Sequence, residues 1–135
     1  MKDKLLYLDS SALAKLAWLE DESASLHKML NSWPDRISSE LAHVEVIRAA
    51  HRVSTDPAVL GRAREVVAAT NLLAVDEEVL ELAATVEPHG LRSLDAIHLA
   101  SALSLGSDLG AMVTYDARLA SAARQAGIKV RSPGT

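Results

Sequence analysis

Short apolar runs that do not alternate with polar residues narrow the fold of this chain more than any other feature. Leu5-Leu6-Tyr7-Leu8, Asn71-Leu72-Leu73-Ala74-Val75 and Ala111-Met112-Val113-Thr114 are the clear cases. Ile128-Lys129-Val130 is weaker, and Arg36-Ile37-Ser38 weaker still. A strand with one wet face alternates apolar and polar positions. Runs without alternation therefore suit strands covered on both faces, as in parallel sheets.

Helical patterns fill the space between these runs. The first runs from Ser11 to Leu19, with Ser10 or Ser11 as its cap, and the second from Glu22 to Asn31, closed by Trp33-Pro34. Ser38 or Ser39 caps a third through Val53. Asp56-Pro57 opens a fourth through Thr70, with proline suited to a first helical turn. A fifth covers Asp76 to Val86, a sixth starts at Ser93 and ends near Gly106, and the last runs from Ala117 to Ala126. Gly127 stands where a helix-terminating glycine is favoured. Strands alternating with helices predict an α/β fold. The expectation is a three-layer α/β/α domain spanning residues 1–135, with a central, mostly parallel sheet of four or five short strands.

Composition supports burial and excludes several chemistries. Hydrophobic residues make up 49% of the 135 residues, mostly Ala, Leu and Val, with no Phe. Alanine has the best helix propensity and allows helices to pack closely. No cysteine is present, which removes disulfides and thiolate metal sites and suits a reducing cytosol. Met1-Lys2-Asp3-Lys4 resembles the charged start of an export signal, but the apolar stretch behind it is short and broken by Asp9 and Lys15. No run reaches the ~18 apolar residues that span a bilayer, so a soluble, cytoplasmic protein with no membrane partner is expected. Fourteen Lys and Arg against 18 Asp and Glu leave a net charge of −4. A nucleic-acid binder usually shows a basic surface, so such a role requires a local feature that overcomes the deficit.

The acids supply that feature. Asp9 ends the first apolar run and Asp116 follows another, in VTYDARLA. In open α/β sheets, ligands bind beyond the carboxyl ends of the strands. Asp95 lies in the first turn of LDAIHLASAL, and Glu45 lies among Val44, Val46 and Ile47 in SSELAHVEVIRAAHR. Each has an ordinary explanation. Asp9 and Asp116 serve as helix caps, Asp95 suits a helix N-terminus, and Glu45 is one turn from Arg48. Together, two acids hold equivalent strand-to-helix junctions and two interrupt apolar helix faces. If the strands are parallel neighbours, all four carboxylates meet at one end of the sheet. Carboxylates packed together repel and are costly to desolvate, and a divalent cation resolves the repulsion. Oxygen ligands without a Cys or His cluster suit Mg²⁺ or Mn²⁺, and such a site suits hydrolysis of phosphodiesters.

The segments YLDSSAL, ELAHVEVIRA, LRSLDAIHLASAL and VTYDARLASAARQAGI, in that order, resemble the PIN-domain ribonucleases. They are especially similar to VapC-type toxins of bacterial toxin–antitoxin pairs. The resemblance implies a PIN-like fold and a metal-dependent endoribonuclease whose four acids fall on Asp9, Glu45, Asp95 and Asp116. It implies that Asp9, Asp95 and Asp116 hold the ion, with Glu45 as ligand or water-orienting group. Ser10 and Thr114 would hydrogen-bond carboxylates or the ion's waters. Glu40, also in the second motif, is set aside because the register of EVIRA selects Glu45. The chain departs from some relatives at Arg118, where a further acid occurs, so one or two ions remain open. RNA substrate, an antitoxin whose C-terminal segment wraps around the toxin, and pairing of the toxin with itself are the implied partners.

Other features carry weaker signals. His43 and His51 are two helical turns apart rather than at the i, i+4 spacing favoured for a metal. His98 is read as a packing or hydrogen-bonding residue. Arg48, Arg52, Arg62 and Arg64 form a modest basic cluster and Arg92 precedes the third acid; Arg48, Arg52 and Arg92 are the candidates for RNA contact, against a solvated face. Trp18, Leu19, Leu26, Met29, Leu30 and Trp33 are read mostly as core, some of them lining a partner groove. Two other readings compete: an Asp-based phosphatase or phospho-acceptor domain, and a non-catalytic binding module. The first wants an acid two residues after Asp9, where Ser11 stands, or paired acids and a late lysine that are not evident.

Overall fold

The computed structural model describes residues 4–135; the charged start, Met1–Asp3, lies outside the described residues. β1 (Leu5–Leu8), β2 (Arg36–Ser39), β3 (Asn71–Leu73), β4 (Leu109–Val113) and β5 (Val130–Arg131) form one sheet in the order β3-β2-β1-β4-β5. Every pairing is parallel. The helices are α1 (Ser10–Ala17), α2 (Ser23–Leu30), α3 (Leu41–Val53), α4 (Pro57–Ala68), α5 (Glu77–Thr85), α6 (Ser93–Ser104) and α7 (Ala117–Gln125).

Alternation along β1 and β4 divides the core into two layers. Leu6, Leu8, Ala111 and Val113 join one apolar cluster with residues of α1, α2, α3 and α4. Tyr7 and Met112 join the other, with Leu99 and Ala102 of α6 and Leu119, Ala122 and Ala123 of α7. Helices on both faces explain why the strands read as unbroken apolar runs. The three-layer parallel architecture expected from the runs is the one observed, with the two weakest runs supplying β2 and β5.

The strand order reverses direction at β1. The chain steps outward from β1 to β2 and β3, then crosses back to place β4 on the other side of β1. A crevice opens at such a switch point, outside the carboxyl ends of the two central strands. Leu8 is in register with Val113, and the Asp9 amide donates to the Val113 carbonyl at 3.2 Å. The segments that leave β1 and β4 therefore start side by side.

Helix boundaries follow local chemistry, with two differences from expectation. The cap of α1 is Asp9 itself, whose carboxylate accepts from the Ala12 amide, and the helix stops at Ala17 because Trp18 is extended. Ser38 and Ser39 do not cap α3 in the usual way. Register with Leu72 and Leu73 keeps them extended in β2, although the Ser39 hydroxyl still accepts from the Leu41 amide at 3.1 Å. Asp56, Asp76 and Asp116 each cap the helix that follows them. Of the apolar residues near α1 and α2, Leu26 and Leu30 are core, whereas Leu19 is 88% exposed.

α7 ends as Gly127 predicts. Its φ of +88° places it in the left-handed region, the Gly127 amide donates to the Arg124 carbonyl, and the Ile128 amide donates to the Ala123 carbonyl. This reversal turns the chain into β5. A Cβ added at Gly127 meets nothing, so the cost of substitution is purely one of backbone conformation. Gly127→Ala is expected to lower stability by about 1–2 kcal/mol, measured by chemical denaturation; an unchanged midpoint would show that this turn does not depend on glycine.

Candidate active site

Asp9 is the deepest of the acids, 3% exposed at the end of β1. Its Oδ1 accepts from the Ser11 hydroxyl at 2.6 Å and the Ala12 amide at 2.9 Å; its Oδ2 accepts from the Thr114 hydroxyl at 2.6 Å. Burial pushes its carboxyl above the ordinary range, opposed by His98 and by these donors. All three donors are neutral, so they orient the carboxylate without cancelling its charge.

Thr114, fully buried, couples the first acid to the fourth. Its Oγ1 donates to Asp9 and accepts from the Asp116 amide at 3.1 Å. Ser11 adds a second tie, accepting from the Tyr115 amide at 3.0 Å while donating to Asp9. Asp116 caps α7 by accepting from the Leu119 amide and stays exposed at the rim. The capping role and a place in the acidic cluster are therefore compatible for both Asp9 and Asp116.

Glu45 enters from α3 and Asp95 from the first turn of α6. Glu45 does not pair with Arg48 among the described residues. Its Oε1 accepts from the Ser10 hydroxyl at 2.6 Å and bonds His98 Nε2 at 2.7 Å. Burial alone would raise its carboxyl, but the bonds from His98 and Ser10 prevail and hold it below the ordinary range. Asp95 behaves oppositely. Burial, then the charges of Asp116, Asp9 and Glu45, push it up, with only His98 pulling it down. Asp95 thus lies within electrostatic reach of the other three acids.

The remaining candidates lie elsewhere or at the margin. Glu40 turns away to accept from the Val75 amide at 2.7 Å, bracing β3. His43 and His51 are exposed on α3, and Arg48, Arg52, Arg64 and Arg92 are exposed; the exposed Arg62 donates to the Leu16 carbonyl at 3.3 Å. Lys15 pairs with Glu20 and Glu22 and lies over the Tyr115 ring. Among the described residues no Lys or Arg pairs with any of the four acids. The donor chemistry is hard carboxylate oxygen, which fits a divalent cation such as Mg²⁺ or Mn²⁺. The donors are not closed around a point: among the described residues no three acids or histidines already stand in ion-holding geometry.

The PIN domain family model matches residues 6–125. A protein of Mycobacterium tuberculosis named Ribonuclease VapC46 is 46% identical over 128 residues, covering 95% of this chain and 97% of that protein. Ribonuclease VapC47 of the same species is 40% identical over 134 residues, covering 96% and 98%. This chain belongs to the PIN-domain family, in its VapC group. A solved toxin–antitoxin complex from Klebsiella pneumoniae, 22% identical, aligns over 95% of this chain and 97% of that chain with a TM-score of 0.69, a likeness of fold.

In this PIN domain, three residues at the site have no role that the sequence reveals: Ser11, Tyr7 and His98. His98 sits in the apolar run of α6 and reads as a packing or hydrogen-bonding residue there; its partner Tyr7 is 91 positions away, so only the fold reveals which bond it makes. Ser11 is legible only as a candidate helix cap.

The acids dictate a pH response. Asp9 and Asp95, raised by folding, bind protons more tightly in the folded chain, so their contribution to stability falls as pH rises from the unfolded value through the folded one. Glu45, lowered, contributes in the opposite sense. In chelator at pH 7, Asp95→Asn is expected to raise the unfolding temperature, with the gain vanishing below the ordinary carboxylate range near pH 4. An Asp95→Asn chain no more stable than its parent at pH 7 would contradict a charge penalty from burial and repulsion at Asp95.

Proposed function

We propose that this chain is a Mg²⁺- or Mn²⁺-dependent endoribonuclease and the toxin of a toxin–antitoxin pair. The observation that carries the reading is that Asp95 feels the charges of Asp9, Glu45 and Asp116 while, among the described residues, no Lys or Arg pairs with any of the four. Relatives named Ribonuclease VapC, at 40–46% identity over nearly the whole chain, support the activity.

In this reading Asp9, Asp95 and Asp116 hold the ion, and Ser11, Thr114 and the α1 amide keep Asp9 aimed. A divalent cation supplies charge against the phosphate and makes water a better nucleophile. Glu45, held ionised, accepts a hydrogen bond from the water whose oxygen attacks phosphorus as the ester P–O bond breaks. Ser10 fixes Glu45 by donating to it. Arg48 and Arg52 on α3 and Arg92 before α6 are exposed and would hold RNA phosphates, which offsets the net negative charge. Deep burial of Asp9, with both oxygens engaged, disfavours it as a phosphate acceptor.

The antitoxin occupies the groove beside α1, α2 and α4, lined by Leu16, His27, Leu30, Arg62 and Val66. The structural neighbour from Klebsiella pneumoniae is itself a toxin–antitoxin complex, which supports a partner of that kind. The toxin also pairs with a second copy of itself.

Purified protein is expected to cut RNA with Mg²⁺ or Mn²⁺ and to stop in EDTA. Asp9→Asn should lower the rate about 100-fold while the chain still folds, because Asn caps a helix as well as Asp. An Asn variant that cuts as fast as the parent would contradict the assignment. Raising salt should weaken RNA binding steeply, and less so for Arg48→Ala.

A further inference from the structure

Behind Glu45 lies a polar chain that reaches through the core to the opposite side of β1. Tyr7, on the β1 face that packs against α6, is fully buried, and its hydroxyl lies 2.7 Å from His98 Nδ1. The rings meet edge-on, 5.9 Å between centroids. His98, 2% exposed, then bonds Glu45 Oε1 through Nε2 at 2.7 Å, with Ser10 Oγ 3.2 Å from the same nitrogen. Ser10 closes the triangle by donating to Glu45 Oε1.

The chain has one direction. A Glu45 carboxylate can only accept at Oε1, so Nε2 carries a hydrogen and donates to it. On its other side the Tyr7 hydroxyl stands 2.7 Å from Nδ1, and we take it as the donor there. A neutral imidazole with Nδ1 accepting carries its hydrogen on Nε2 and donates there. Both bonds to Glu45 land on Oε1, which leaves Oε2 free of those two bonds. The buried His98 and Tyr7 bond to each other and, through Nε2, to Ser10 and Glu45, and a satisfied polar network of this kind rigidifies the groups it joins.

We propose that His98 is a positioning residue: locked by Tyr7 as the Nε2–H tautomer, it fixes the Glu45 carboxylate for the attacking water. Its kinetic arm rests on the nuclease reading, and its spectroscopic arm does not.

The ¹⁵N spectrum of the imidazoles in the full chain decides the tautomer. His98 is expected to show a bare Nδ1 and a protonated Nε2, and in Tyr7→Phe that bias should weaken. A protonated Nδ1 in the parent would overturn the proposal, whether or not the chain cuts RNA. In the kinetic arm His98→Leu should lower kcat about 10-fold or more with KM unchanged. His98→Gln, whose amide N–H reaches the place of Nε2, should recover most of that loss. In a Glu45→Gln background His98→Leu should cost almost nothing further. Equal losses for Leu and Gln, or a full loss in both backgrounds, would reduce His98 to a packing residue. Should His98→Leu fail to fold, Tyr7→Phe carries the same test, with kcat reduced and KM kept; an unchanged kcat there overturns the proposal. A parent without any RNA cleavage would instead remove the nuclease reading and leave the tautomer result standing.

Discussion

Repulsion among carboxylates is the constraint on which the rest of this molecule depends. Asp9 is buried with neutral donors only, and Asp95 is raised by burial and then by the charges of the other three acids. Each such placement opposes folding. What offsets it is a core of two apolar layers around a parallel sheet, supplemented by the hydroxyls and amides that hold Asp9. Stability and site are set against each other, as expected where a fold carries chemistry.

The sheet topology makes the clustering possible with little local strain. Because β1 and β4 are neighbours at the reversal of strand order, Asp9 and Thr114 leave adjacent strand ends, and the following turns start two helices. Each acid at those junctions also caps a helix, so the same carboxylate that suits the site satisfies backbone amides. Glu45 and Asp95 arrive from helices on opposite faces of the sheet. The fold thus assembles the crevice from four separate stretches of chain, none of which is acidic enough alone to reveal it.

How much of this is legible in the sequence follows from the range of each interaction. The runs from Leu5, Asn71 and Ala111 mark strands because burial on both faces leaves a local pattern, and Gly127 marks a helix end because left-handed backbone selects glycine. The acids at strand ends can be read as a group from the logic of α/β sheets. The start of α3 falls later than its serines suggest because pairing with β3, more than 30 positions away, keeps Ser38 and Ser39 extended. Glu45 and Arg48 are helical neighbours, yet Glu45 turns instead to Ser10 and His98, which local spacing cannot show. Tyr7 lies in an apolar run and His98 reads as a packing or hydrogen-bonding residue, and only their packing across β1 and α6 joins them.

The most direct test of a cation-seeking carboxylate crevice is thermal unfolding of the parent chain at pH 7 with and without Mn²⁺. A ligand that binds only the folded state raises its unfolding temperature with concentration. The expected result is a rise that grows with Mn²⁺ and is strongly reduced in Asp116→Asn. An unfolding temperature that stays fixed in the parent at millimolar Mn²⁺ would contradict it.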